Sequence, residues 1–202
     1  MATTAVSERS IHKRIVLLQW VTLVWMTVES SFALVAAWRA RSVSLLAFGS
    51  DSFVELVSAT VVLLQFAPRL KIPQVRAAKL CGLLLYGLAG IVTLIALAGF
   101  FYRVQADTSI LGMAITAAAL LLMPVLAGLK QNAADRTGNK ALRADAVQSA
   151  TCAYLAALTL AGLSIRFFFG LHWLDQTAAL AAVPILVVEA RKARQGEVCG
   201  CC

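Results

Sequence analysis

The sequence predicts an all-α integral membrane protein, a six-helix transmembrane bundle with both chain ends on the cytoplasmic side. Three observations carry this reading. Of 202 residues, 60% are hydrophobic and only 14% charged, with a mean hydropathy of +0.82, whereas a soluble domain carries about a quarter charged residues. The apolar residues fall in long runs, and six runs of about 20 residues would occupy nearly the whole chain. The basic residues gather at alternate ends of those runs.

In chain order, a tail over residues 1–14 precedes a first span at 15–38, which is too long and too polar in its middle for a cleavable signal peptide. Further spans fall at 43–66, 77–101, 109–129, 141–165 and 171–189, making residues 15–190 one six-helix transmembrane domain, with a short Cys-rich tail at 191–202. With the ends inside, 14 of the 18 basic residues lie on the cytoplasmic side, among them Arg14, Arg76, Lys130, Arg143 and Arg191; only Arg39, Arg41, Arg103 and Arg166 lie outside. That asymmetry satisfies the positive-inside rule, and Trp38, Tyr102 and Trp173 at the outer ends fit an interfacial aromatic belt. The net charge of +8 is therefore a topology signal and not a nucleic-acid footprint. A cell (inner) membrane location follows, with the lipid bilayer as the first partner.

Ionisable groups at bilayer depth are costly and mark function by default. Glu29 falls in the middle of the first span, and Asp51 and Glu55 lie one turn apart on one face of the second. On the fifth span Asp145, Gln148 and Cys152 form a second polar stripe. The two spans run in opposite directions, so facing stripes would set Asp51 against Cys152 in one layer and Glu55 against Gln148 in the next. Two carboxylates, an amide and a thiolate form a plausible near-tetrahedral cage for a divalent cation, suiting zinc or a similar borderline metal better than magnesium. Glu29 reads as a third carboxylate of the site, a proton carrier or a hydrogen-bonded packing residue. Asp145 reads as an entrance ligand or as the partner of Arg143 in a helix-terminal ion pair, and Asp175 as a cap of the sixth helix or a lining group of the outer exit. His12 and His172 read as interfacial.

The second span, SVSLLAFGSDSFVELVSA over 42–59, the fifth, ALRADAVQSATCAYL over 141–155, and HWLDQTAAL over 172–180 resemble the corresponding helices of the cation diffusion facilitator family. Together with Glu29, MPVLAGLK over 123–130 and the terminal CGCC, they are similar to a short bacterial branch of that family, itself related to a synaptic-vesicle zinc transporter. The resemblance implies efflux of a divalent metal, usually zinc, by alternating access in a homodimer, commonly in exchange for protons. By position, Asp51, Glu55, Gln148 and Cys152 match the metal ligands. Gln148 and Cys152 stand where the family usually carries histidine and aspartate, a softer corner that suits cadmium or another thiophilic ion. Only 13 residues follow Glu189 (202 − 189), short of the family's cytoplasmic metal-sensing domain, so dimerisation falls to the membrane helices or another protein.

Cys199, Cys201 and Cys202 end the chain on the reducing side, as free thiols able to capture a soft metal and deliver it to the inner mouth, or as a tail with no transport role. Three functions follow in order of fit: a proton-coupled divalent metal exporter; a non-transporting membrane metal sensor or adaptor using the same site; and, last, an enzyme. No nucleophile with a paired histidine and no phosphate-binding glycine loop supports the third, and no catalytic cofactor is expected.

Overall fold

The computed structural model describes residues 2–65, 74–102, 106–138, 140–170 and 173–195. They form six helices: α1 (Ala2–Ala40), α2 (Val43–Gln65), α3 (Gln74–Phe101), α4 (Ile110–Thr137), α5 (Lys140–Phe169) and α6 (Leu174–Gln195), with no strand among the described residues. Three stretches are long and apolar enough to cross a membrane, Lys13–Ala40, Ile110–Thr137 and Asp145–Phe169, and Leu85–Phe101 is a shorter apolar helix.

Several helices extend beyond the predicted spans, α1 and α4 the furthest, while α5 runs to Phe169 and α6 to Gln195. Residues 2–14, expected as a tail, continue α1 because they hold neither proline nor glycine to stop it. Residues 130–137, expected in an inner loop, extend α4 until Gly138, whose φ of 64° places it in the left-handed region that ends a helix. Lys130 is consequently a helical residue, and its side chain is 0% exposed.

On α1 the polar side chains turn inward while large apolar ones face out. Leu17, Trp20 and Val24 of α1 are exposed, while Gln19, Thr22 and Glu29 of the same helix are each 0% exposed. A water-soluble helix distributes these residues the other way round. A helix that crosses a membrane carries this distribution, because polar groups find partners only inside. The aromatic residues expected at the outer boundary, Trp38, Tyr102 and Trp173, are all exposed at helix ends.

Contacts fix the helix directions. Along α2 and α5, Ser44 meets Thr159, Ser52 meets Cys152 and Glu55 meets Ser149, so one number falls as the other rises and the pair is antiparallel. By the same test α1 is antiparallel to α2, through Glu29 with Ser52 and Ala33 with Gly49. α1 and α5 run parallel, Gln19 meeting Asp145 and Glu29 meeting Cys152. Both ends of the bundle agree: Ile15, Ala134 and Leu142 cluster at one, and Ala36, Ala37, Leu45 and Leu163 at the other.

α2 packs against α1, α3, α5 and α6 and forms the hub. Its contact with α1 is close because Gly49 lacks a side chain: a Cβ there would lie 3.0 Å from Ala33 Cβ and 3.1 Å from the Leu34 amide nitrogen. Small residues at such crossings let backbones approach and gain dispersion contact in lipid. A core of Met26, Phe48, Val92, Met123, Leu155 and Leu186 fills the space between the helices.

The start of α2 is held from across the bundle. Ser42 accepts from the Leu45 amide as the helix cap (3.2 Å). Asp175, in the first turn of α6, accepts from the Val43 amide (2.7 Å) and from Ser42 and Ser44 (2.6 Å each). Asp175 therefore caps α2 and not its own helix, because an amide and two hydroxyls there need an acceptor out of water's reach.

Candidate metal centre

Halfway along α2, polar side chains from four helices converge in two groups and leave one carboxylate between them. The first group joins α1, α2 and α5. Ser52 donates to Glu29 Oε1 at 2.6 Å, and the Cys152 thiol donates to the same oxygen at 3.4 Å. Glu29, Ser52 and Cys152 are each 0% exposed.

The second group lies one turn further along α2 and is built on Lys130. Its ammonium lies 2.9 Å from Asp145 Oδ2, 2.7 Å from Ser149 Oγ and 3.4 Å from Glu55 Oε1, so all three donors of the amine are used. Ser149 passes its own hydrogen to Glu55 Oε1, and Gln19 Nε2 donates to Asp145 Oδ2 at 2.9 Å. Glu55, Lys130, Asp145 and Ser149 are all 0% exposed. A charge pair this deep needs further hydrogen bonds, here from Gln19 to Asp145 and from Ser149 to Glu55, and each carboxylate still keeps one oxygen unpartnered.

Asp51 belongs to neither group. It is 0% exposed, and neither of its carboxylate oxygens has a hydrogen-bond partner. Among the described residues, the charged groups acting on it are the carboxylates of Glu189 of α6, Glu55 and Glu29. Each flanking group also keeps an unpartnered buried oxygen, Glu29 Oε2 in one and Glu55 Oε2 and Asp145 Oδ1 in the other.

The structure thus brings the expected residues into one region but changes their pairing. Cys152 meets Glu29 and Ser52 where Asp51 was expected, and Glu55 meets Ser149 where Gln148 was expected. Gln148 is half-buried, with its amide nitrogen unpartnered. Asp145 pairs with Lys130, while Arg143 pairs with Asp135 on the outside of α4. Among the described residues, no three His, Cys, Asp or Glu side chains are drawn together closely enough to hold a metal ion. The four-residue cage is therefore not preformed: Lys130 engages Glu55 and Glu29 engages Cys152. Arg166, expected in an outer loop, is instead 6% exposed within α5. Cys199, Cys201, Cys202 and His172, and the side chain of His12, lie outside the described residues.

Sequence reasoning missed Lys130, Ser149, Gln19 and Glu189. Lys130 carried a usable signal, since it follows the apolar run MPVLAGL with no helix breaker before Gly138. Glu189 carried a weaker one, as an acidic residue ending an apolar stretch two positions before Arg191.

No protein-family model matches the chain, and no curated protein matches it.

Proposed function

We propose that the chain is a six-span carrier in the cell membrane, with both ends cytoplasmic, that exports a divalent metal cation of the zinc class by alternating access in exchange for protons and works as a homodimer. The carrying observation is Asp51, a fully buried carboxylate with no hydrogen-bond donor on either oxygen among the described residues. Charge arithmetic supports the reading. Four carboxylates (Glu29, Asp51, Glu55 and Asp145) and one ammonium (Lys130) are fully buried in this region, which leaves three negative charges uncompensated when all are ionised (4 − 1). The other buried cation among the described residues, Arg166, lies 14 positions further along α5 than Cys152 (166 − 152), about 21 Å away along the axis. Uncompensated charge in a lipid-embedded interior is very costly, so the site must take up cations or protons, and exchanging one for the other is what a proton-coupled carrier does.

In this reading Asp51 is the central ligand, with Glu29 and Cys152 on one side and Glu55 and Gln148 on the other. The thiol supplies the soft corner that favours zinc or cadmium over magnesium. Asp175 at the start of α6 meets the start of α2, which is antiparallel to α1, so the start of α1 and the end of α6 lie toward the same end of the bundle; the charge asymmetry of the sequence and the resemblance to cation diffusion facilitators support the same reading. Flux in proteoliposomes with zinc, cadmium, cobalt and manganese, with and without a pH gradient, tests the proposal. Zinc- or cadmium-driven proton movement that Asp51→Ala abolishes is the expected result. Wild-type flux that survives Asp51→Ala refutes the site, and binding without flux would instead make the chain a metal sensor or adaptor.

A further inference from the structure

Lys130 is the feature the transport reading does not by itself require. Its three bonds are unequal: Asp145 at 2.9 Å and Ser149 at 2.7 Å anchor it, while Glu55 at 3.4 Å is the long arm. Glu55 keeps its second oxygen buried and unpartnered, and its field reaches Asp51, itself without a hydrogen-bond donor on either oxygen. Loss of Glu55 would leave the ammonium still held by a carboxylate and a hydroxyl, whereas loss of Asp145 would remove its main counter-charge.

We propose that Lys130 is a tethered counter-cation that holds Glu55 while the bundle carries no cargo and yields it when a divalent cation binds beside Asp51, thereby setting the affinity of the site and the ease of release. The inference builds on the cation-site reading above and adds its regulation. A dication beside Asp51 competes with the ammonium for the Glu55 carboxylate. Once the dication leaves, the ammonium recaptures Glu55 and closes the site against immediate rebinding. Asp145, Ser149 and Gln19 act through Lys130 as positioning residues and do not touch the cargo.

The test is zinc binding to the purified full-length chain by equilibrium dialysis, paired with zinc flux in proteoliposomes. Lys130→Gln frees Glu55 and removes a repelling charge, so binding tightens by at least about tenfold while flux falls by a similar factor because release is slowed. Lys130→Arg, which keeps the charge, does not tighten binding. The double variant Lys130→Gln with Asp145→Asn removes one positive and one negative charge together, leaving net charge unchanged; it too tightens binding, and it carries the test if the single variant does not fold. A merely structural lysine would weaken binding or leave it unchanged on removal, and either result in the folded variant overturns the proposal. Absence of zinc binding to the wild type would overturn the cation-site reading with it. Wild-type binding that depends on Asp51, without tightening in the lysine variants, would overturn this inference alone.

Discussion

Asp175 and Asp51 are closed off from solvent to the same degree, at 1% and 0% exposure, and both face the hub helix, yet their surroundings are opposite. Asp175 accepts from a backbone amide and two serines at the start of α2. Asp51, two turns further along α2, accepts from no donor among the described residues and feels the charges of other carboxylates. The lesson is that burial alone does not identify a functional carboxylate in a membrane bundle. The first aspartate offsets its desolvation with charge-assisted hydrogen bonds and contributes stability. The second has no such compensation within the described residues, and a group that costs stability in place is expected to have a ligand.

The contrast can be broken or sharpened by substitution. The largest stability loss is expected in the Lys130 group. Asp145→Ala removes the main counter-charge of Lys130 and should cost about 3–5 kcal/mol, read as a lower thermal midpoint in detergent and weaker protection of α4 and α5 amides from hydrogen exchange. Asp175→Ala should cost about 2–3 kcal/mol, because an amide and two hydroxyls at the start of α2 lose their acceptor. Protection should fall first in the opening turns of α2. Gly49→Ala forces α1 from α2 against backbone and should cost about 1–3 kcal/mol, with cation binding weakened as Glu29 moves away from Ser52. Cys152→Ser should change stability by less than about 1 kcal/mol and act instead on selectivity, lowering affinity for cadmium more than for zinc. If Asp51→Asn destabilised the fold as much as Asp175→Ala, the distinction between the two aspartates would fail.

Much of this arrangement was legible in the sequence. The helix order and which acidic residues turn inward follow from apolar runs interrupted by single charges, since an unpaired charge facing lipid is hardly tolerated. The alternation of helix directions follows from the order of runs and connections. The pairing within the site was less accessible. Successive residues differ by about 100° around a helix axis, so periodicity identifies the inward face but not which neighbour on it meets the partner helix. Ser149 in place of Gln148, and Ser52 beside Cys152, are shifts of one residue of that kind. Lys130 was counted with the loop charges because the positive-inside rule weighs a basic residue by its distance from the apolar run and not by burial. Seven more helical residues before Gly138 bring it inside, and its partners, 75 positions back at Glu55 and 15 ahead at Asp145 (130 − 55; 145 − 130), become neighbours only once α2, α4 and α5 pack together.

The central claim is that Asp51 is where a divalent cation binds. The most direct test is the zinc- or cadmium-induced rise in the thermal midpoint of the purified full-length chain, compared between wild type and Asp51→Asn. A ligand that binds only the folded state at a hundred times its dissociation constant stabilises by about 2.7 kcal/mol. The account predicts such a rise in the wild type and none in Asp51→Asn, whose metal-free midpoint stays at or above the wild-type value. An equal metal-induced rise in Asp51→Asn would contradict it.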